Sequence, residues 1–197
     1  MSYTVERATA ADVTALVDQR LAFQRELGRD PDAEPALREA LAAYFAAELD
    51  RTLVAFLARD EATGEVVGSV FFVIVVRVPG GRHGNGRMGL VLNVYTAPEH
   101  RRQGLARRLM MCLLEAAREA DLARLELTAT PAGRRLYEEL GFMVDAEGLT
   151  PMELIMSPAA TSTTAELIMP MRDTLALITP RPTSGGTTSV TARGARP

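Results

Sequence analysis

The sequence predicts an α/β fold: a mixed, mostly antiparallel central sheet flanked by helices. Two observations carry the prediction. Two strongly apolar stretches, residues 53–59 and 66–77, are separated only by Asp60-Glu61-Ala62-Thr63-Gly64-Glu65, the spacing of an antiparallel hairpin. Further on, an apolar strand pattern over residues 90–96 and a helical pattern running to Ala120 lead into a second alternating stretch over residues 123–129. A strand, crossover helix and strand imply parallel pairing with a right-handed connection.

Composition bounds the rest. At 197 residues the chain is long enough for one well-buried domain, with little room for a second. A net charge of −3 argues against a general nucleic-acid binder, and no nucleic-acid partner is expected. No apolar run reaches the length of a membrane span, so no membrane partner is expected either. The chain has no lysine, which excludes a Walker-type phosphate loop and Schiff-base chemistry. Cys112 is the only cysteine, which excludes intrachain disulfides and cysteine zinc clusters. His83 and His100 are too few for a histidine-rich metal site, so no metal is expected. The N-terminal residues lack the apolar segment of a signal peptide, so the expected location is cytoplasmic.

In chain order, residues 3–7 form a first strand. Thr9 and Asp12 resemble a capping arrangement with a shortened acid. They open a helix carrying Val13, Leu16, Val17, Leu21, Phe23 and Leu27, which Gly28 ends. A second helix over residues 36–49 places Leu37, Leu41, Tyr44, Phe45 and Leu49 largely on one side. The stretch 66–77, the most apolar of the chain, is the central strand, and the glycine-rich residues 79–86 are a loop. Pro98 stops the next ladder because it has no amide hydrogen. Leu105, Leu109, Cys112, Leu113 and Ala116 then mark one helix face, where Cys112 is a small core residue. Pro131 suits the first turn of a helix that carries Leu136, Tyr137 and Leu140 and ends at Gly141. Residues 142–146 and 151–156 close the sheet. From Ser157 the composition shifts, so the domain spans residues 1–157 and a Ser/Thr/Pro-rich, partly disordered tail spans 158–197.

The turn over residues 97–106 is the chemically informative part. Gly104 and Ala106 let the backbone come close to a ligand. The first amides of the following helix have no partner within it, and the helix dipole adds partial positive charge. Arg101, Arg102, Arg107 and Arg108 bring guanidinium groups to the same end. Such a turn suits a phosphorylated anion.

Arg101-Arg102-Gln103-Gly104-Leu105-Ala106 resembles the R/Q-x-x-G-x-G/A motif of the GCN5-related N-acetyltransferase (GNAT) superfamily. Leu136-Tyr137-Glu138-Glu139-Leu140-Gly141-Phe142 is similar to the helix end L-Y-x-x-x-G-F of that family. Both lie in the family's order, with a strand between them, over residues 3–157. The resemblance implies a parallel strand pair that splays to admit the donor, acetyl-CoA, and direct attack on it by an amine. Val94, Tyr95 and Thr96 would then pair with the pantetheine arm through their backbone. Arg101, Arg102, Gln103, Gly104, Leu105, Ala106 and Arg107 would hold the pyrophosphate, and Thr130 would contact the cofactor. Tyr137 matches the tyrosine that protonates the departing thiolate, and the helical pair over residues 13–49 would overhang the acceptor.

Two departures stand out. Thr130 and Gly133 occupy positions where relatives often keep asparagine and alanine. The cofactor strand, residues 87–96, contains no Asp or Glu, although some relatives place a general base there. Asn93 is its one strongly polar side chain and the substrate-side candidate. Glu126 and Glu26 are alternative bases, His100 lies in the phosphate turn, and water can serve instead. The leading reading is an acetyl-CoA-dependent N-acetyltransferase acting on a small-molecule or peptide amine. The competing one is a non-catalytic acyl-CoA-binding module that regulates a partner. Arg134 and Arg135 keep a large acceptor open, and the family's habits make a homodimer a further expectation. Acceptor choice would rest on residues 20–50 and on the 79–86 loop.

Overall fold

The computed structural model describes residues 2–81 and 84–144. Their elements are β1 (Tyr3–Arg7), α1 (Val13–Glu26), α2 (Leu37–Glu48), β2 (Leu53–Asp60), β3 (Val66–Val76), β4 (Arg87–Thr96), α3 (Leu105–Glu119), β5 (Arg124–Glu126) and α4 (Arg134–Glu139). The strands form one sheet in the order β1-β2-β3-β4-β5. The first three pairings are antiparallel and β4–β5 is parallel, as the crossover through α3 requires.

The period of two along β2 divides the core. Val54, Phe56 and Ala58 face one layer with Leu105, Leu109, Met110 and Leu113 of α3. Leu53, Ala55 and Leu57 face the other, with Leu16, Val17 and Leu21 of α1 and Phe45 of α2. Cys112 packs against the α3 layer as a partly buried residue. The sheet is therefore covered on both faces, which is why its strands are near-continuous apolar runs.

The helix ends follow local rules. The Asp12 carboxylate accepts hydrogen bonds from the Thr9 backbone N–H (2.8 Å) and from the Thr9 hydroxyl (2.9 Å). At the other end of α1, Gly28 takes a φ of 74°. Its N–H reaches the Arg25 carbonyl at 3.0 Å, and the Arg29 N–H reaches that of Gln24 at 3.1 Å. This Schellman pair turns the chain back over the last turn of the helix.

Three expectations change. The alternating stretch 123–129 shortens to Arg124–Glu126, because β4 stops pairing with it after Leu90. Pro131 lies in the turn ahead of α4 and not in its first turn. Phe142, Met143 and Val144 are not strand, and the rest of the closing pair, the boundary at residue 157 and the tail lie outside the described residues.

Asp12 generates a prediction. Burial pushes its carboxyl up, but the Thr9 hydrogen bonds and the neighbouring Arg59 outweigh that and hold it below the usual carboxylate range. A depressed folded-state pKa stabilises the fold above the unfolded value, about pH 4, and the contribution fades as pH falls through the folded value. Asp12→Ala should therefore cost about 0.5–2 kcal/mol at pH 7. In urea titrations the gap to the parent should close towards pH 2–3.

Candidate active site

The parallel pairing of β4 with β5 covers only Met88–Arg124, Gly89–Leu125 and Leu90–Glu126, although β4 runs on to Thr96 beside β3. The cause lies in β4 itself. Ser69 pairs with Tyr95 and Phe71 with Leu92, so Asn93 and Val94 both face Val70. Asn93 takes a φ of 54°, in the left-handed region that asparagine tolerates better than most residues. A bulge of this kind adds twist and bends the strand. Beyond it, β4 and the chain leaving β5 separate.

The gap is a cavity of about 420 Å³. Asn93 and Val94 stand on its β4 side, Thr130 on the β5 side, and Tyr137 of α4 also lines it. Residues 127–129 contribute to the same wall, and Arg20, Phe23 and Leu27 of the α1 region close the third side. The Asn93 side chain is buried; its Nδ2 donates to the Ser69 hydroxyl at 2.9 Å. Its Oδ1 is buried with no partner among the described residues. The Tyr137 ring stands edge-on to Phe142 at 6.0 Å, and burial pushes its phenol above the ordinary tyrosine value.

The glycine turn lies past the end of β4. Gly104 caps α3 with a φ of 77°, and Arg102 also sits at a positive φ, 63°. No atom lies within 4 Å of where a Cβ on Gly104 would stand, so the approach to this turn is open. The helix ladder begins with the Arg108 N–H on the Gly104 carbonyl at 3.1 Å, so the amides of Leu105, Ala106 and Arg107 precede it. The Leu105 side chain belongs to the core, which leaves only its backbone for a ligand.

The predicted arginine cluster is rearranged. Arg101 pairs with Glu26 of α1, and its Nε donates to the Thr96 carbonyl at 2.9 Å. Arg107 pairs with Glu139 of α4, and Arg108 donates to the Tyr3 carbonyl at 2.8 Å. Arg102 is exposed. Three of the four guanidinium groups thus bind protein, because carboxylates and carbonyls lie closer to them than the space before Gly104.

Other predicted residues fall outside the cavity wall. Tyr95 is buried edge-on to Phe23 at 6.3 Å, and its phenol is raised by burial and then by the charge of Glu26. The Thr96 hydroxyl is buried without a partner among the described residues. His100, expected beside the phosphates, instead meets the Tyr3 hydroxyl at 3.0 Å with Asp60 at 4.0 Å. Glu126 is held by Arg124 at 3.1 Å and Arg77 at 3.7 Å. The 79–86 loop also points elsewhere: Asn85 donates to the Asp121 carbonyl at 2.8 Å beyond the C-terminus of α3, and none of its described residues lines the cavity. Arg20, Phe23 and Leu27 were legible only as an i, i+3, i+7 face of α1, a pattern shared by any buried helix side. Among the described residues no group of His, Cys, Asp or Glu is placed to hold a metal, and no helix is long and apolar enough to cross a membrane.

Comparison with known proteins bears on the family and the fold. Residues 19–142 match the model of the Acetyltransferase (GNAT) family. No curated protein sequence matches the chain. Among solved structures, a predicted acetyltransferase from Clostridium acetobutylicum, crystallised with acetyl-CoA, is similar at 24% identity and a TM-score of 0.68. The match covers 77% of this chain and 96% of that one. A GCN5-related N-acetyltransferase from Ralstonia eutropha JMP134 is similar at 22% identity and a TM-score of 0.65, covering 77% and 99%. An aminoglycoside acetyltransferase from an uncultured soil metagenomic sample is similar at 20% identity and a TM-score of 0.57, covering 80% and 100%.

The Ser69–Asn93 contact is directly testable. Ser69→Ala should leave the whole buried carboxamide without a partner and cost about 1–3 kcal/mol in urea denaturation. The same substitution in an Asn93→Ala background should cost clearly less, since the group it stranded is gone.

Proposed function

Because the chain belongs to the GNAT acetyltransferase family, an acyltransferase family that uses acetyl-CoA, we propose that it is an N-acetyltransferase in which an amine attacks the donor directly and Tyr137 is the general acid. The observation that carries this reading is the cavity at the β4–β5 split, where Asn93, Val94, Thr130 and Tyr137 meet. Acetyl-CoA supplies an activated acyl carbon. The fit rests on two features: the open approach to Gly104 ahead of the unladdered amides of α3, and the β4 edge that β5 leaves after Leu90. In this reading the amides from Arg102 to Arg107 take the pyrophosphate, with Arg101 and Gln103 shaping the turn. The backbone of Val94, Tyr95 and Thr96 guides the pantetheine arm, and Thr130 contacts it from the facing wall.

The acceptor nitrogen attacks the thioester carbonyl, the carbon–sulfur bond breaks, and the departing thiolate takes the phenolic proton of Tyr137. Burial favours a phenol that is protonated at neutral pH, the form an acid needs. Asn93 Oδ1 accepts a hydrogen bond from the acceptor amine or from a water beside it. Glu26 and Glu126 are ion-paired and His100 is engaged with Tyr3, so water receives the amine proton. Membership in an acyltransferase family favours an enzyme over a non-catalytic acyl-CoA-binding module. A cytoplasmic site of action suits the lone, unpaired Cys112.

Coenzyme A release over a panel of amines tests the reading. Tyr137→Phe should lower kcat about 10²–10⁴-fold while acetyl-CoA affinity holds. On the alkaline side, the parent's activity should hold until pH rises through the phenol's raised value, above about pH 10. Acetyl-CoA binding without turnover on any amine would sink the enzyme reading. Gly104→Val should weaken acetyl-CoA binding at least about tenfold in titration calorimetry, because its side chain fills the open approach and strains a left-handed residue.

A further inference from the structure

The α1 wall of the cavity carries an unusual charge arrangement. Arg20, Glu26 and Arg29 line it, and Glu26, the one carboxylate on the α1 side, is taken by Arg101. The other arginines of the neighbourhood have partners: Arg25 pairs with Asp32 at 2.8 Å and Arg38 with Asp18 at 2.8 Å. Among the described residues, no hydrogen bond or ion pair involves the guanidinium group of Arg20 or of Arg29. The Schellman turn at Gly28 folds Arg29 back over the end of α1, close enough for its charge to be felt at Arg20. Burial first, and then that like charge, push the Arg20 guanidinium below the ordinary arginine value. Arg20 is partly buried without a counter-charge while Arg29 stays exposed beside it, so the free protein bears a desolvation cost at Arg20 that an anionic ligand relieves.

Resting on the acetyltransferase reading above, we propose that the acceptor is a small amine that also carries an anionic group, a carboxylate or a phosphate, held by Arg20 and Arg29. Guanidinium forks match either anion in bidentate geometry. A cavity of about 420 Å³ has the scale of a small-molecule site. Arg20 lies away from the donor's phosphate turn: it sits six residues, about 9 Å of helix rise, before the Glu26 that is tied to that turn. The charge pattern also opposes a polycationic acceptor such as an aminoglycoside, since the cavity offers such a ligand two like charges and one neutralised carboxylate.

The test is acetyl-CoA turnover on acceptors matched in pairs: a free α-amino acid against its amide, and an aminoalkyl phosphate against the parent amino alcohol. At least a tenfold higher kcat/KM for the anionic member of one pair is expected, and the pair that responds identifies carboxylate or phosphate. In the Arg20→Gln/Arg29→Gln variant, with folding checked by its thermal midpoint, KM for that acceptor should rise at least tenfold while KM for acetyl-CoA stays within twofold. Arg20→Glu should shift preference towards cationic amines. Equal use of neutral or cationic amines by the parent would overturn the inference and leave the acetyltransferase reading standing. So would a rise in KM for acetyl-CoA alone in the double variant. Turnover of no amine would overturn both.

Discussion

The site depends on one extra residue of backbone in β4. Where β3 places Val70, β4 places Asn93 and Val94, and that mismatch ends the parallel ladder after Leu90. A straight β4 would continue to pair with the chain after Glu126 and leave no room between them. The bulge is held by two things at once. Asparagine accepts the left-handed φ of 54° at modest cost, and its Nδ2 is anchored on Ser69, itself fully buried in the adjacent strand. The strand that opens the cavity is therefore braced from the strand behind it. The other end of the same carboxamide, Oδ1, is left without a partner among the described residues.

Much of this was legible in the sequence, because the strongest signals are periodic. The apolar face of α3 and the hairpin of β2 and β3 follow from spacing, and their observed ends lie within a residue or two of the expected ones. The glycine turn was legible because helix-end chemistry is local. What failed was pairing. The stretch 123–129 alternates like a strand throughout, but a strand needs a partner, and the bulge removes it after Glu126. Nothing in Leu92-Asn93-Val94 announces a bulge, since asparagine in an apolar strand is equally a solvent-facing residue. The partners of the arginines were not legible for a related reason. Their clustering near Gly104 is sequential, whereas their partners, Glu26, Glu139 and the Tyr3 carbonyl, lie far along the chain.

Those long-range pairs change how the turn operates. Exposed ion pairs contribute little to stability, typically less than about 1 kcal/mol each. Their effect here is positional. Arg101 links the turn to α1, and Arg107 links it to α4, the helix that carries Tyr137. The turn is thus joined to two walls of the cavity, and in the proposed function its recognition of an anion would rest on backbone amides and the helix dipole more than on guanidinium groups.

The Arg101–Glu26 pair has a second consequence for the cavity. Without Arg101, Glu26 would be free to offset part of the charge of Arg20 and Arg29, and the α1 wall would carry one net positive charge where it now carries two. With Glu26 committed to the turn, the remaining charge on that wall is positive and partly desolvated, while the β4 side offers only a carboxamide. The absence of a carboxylate from β4 fits this arrangement. A fixed negative charge there would repel the anionic end of an acceptor that the arginines attract. On the proposed anionic acceptor, Asn93 is a position where an uncharged acceptor of hydrogen bonds would serve better than an acid.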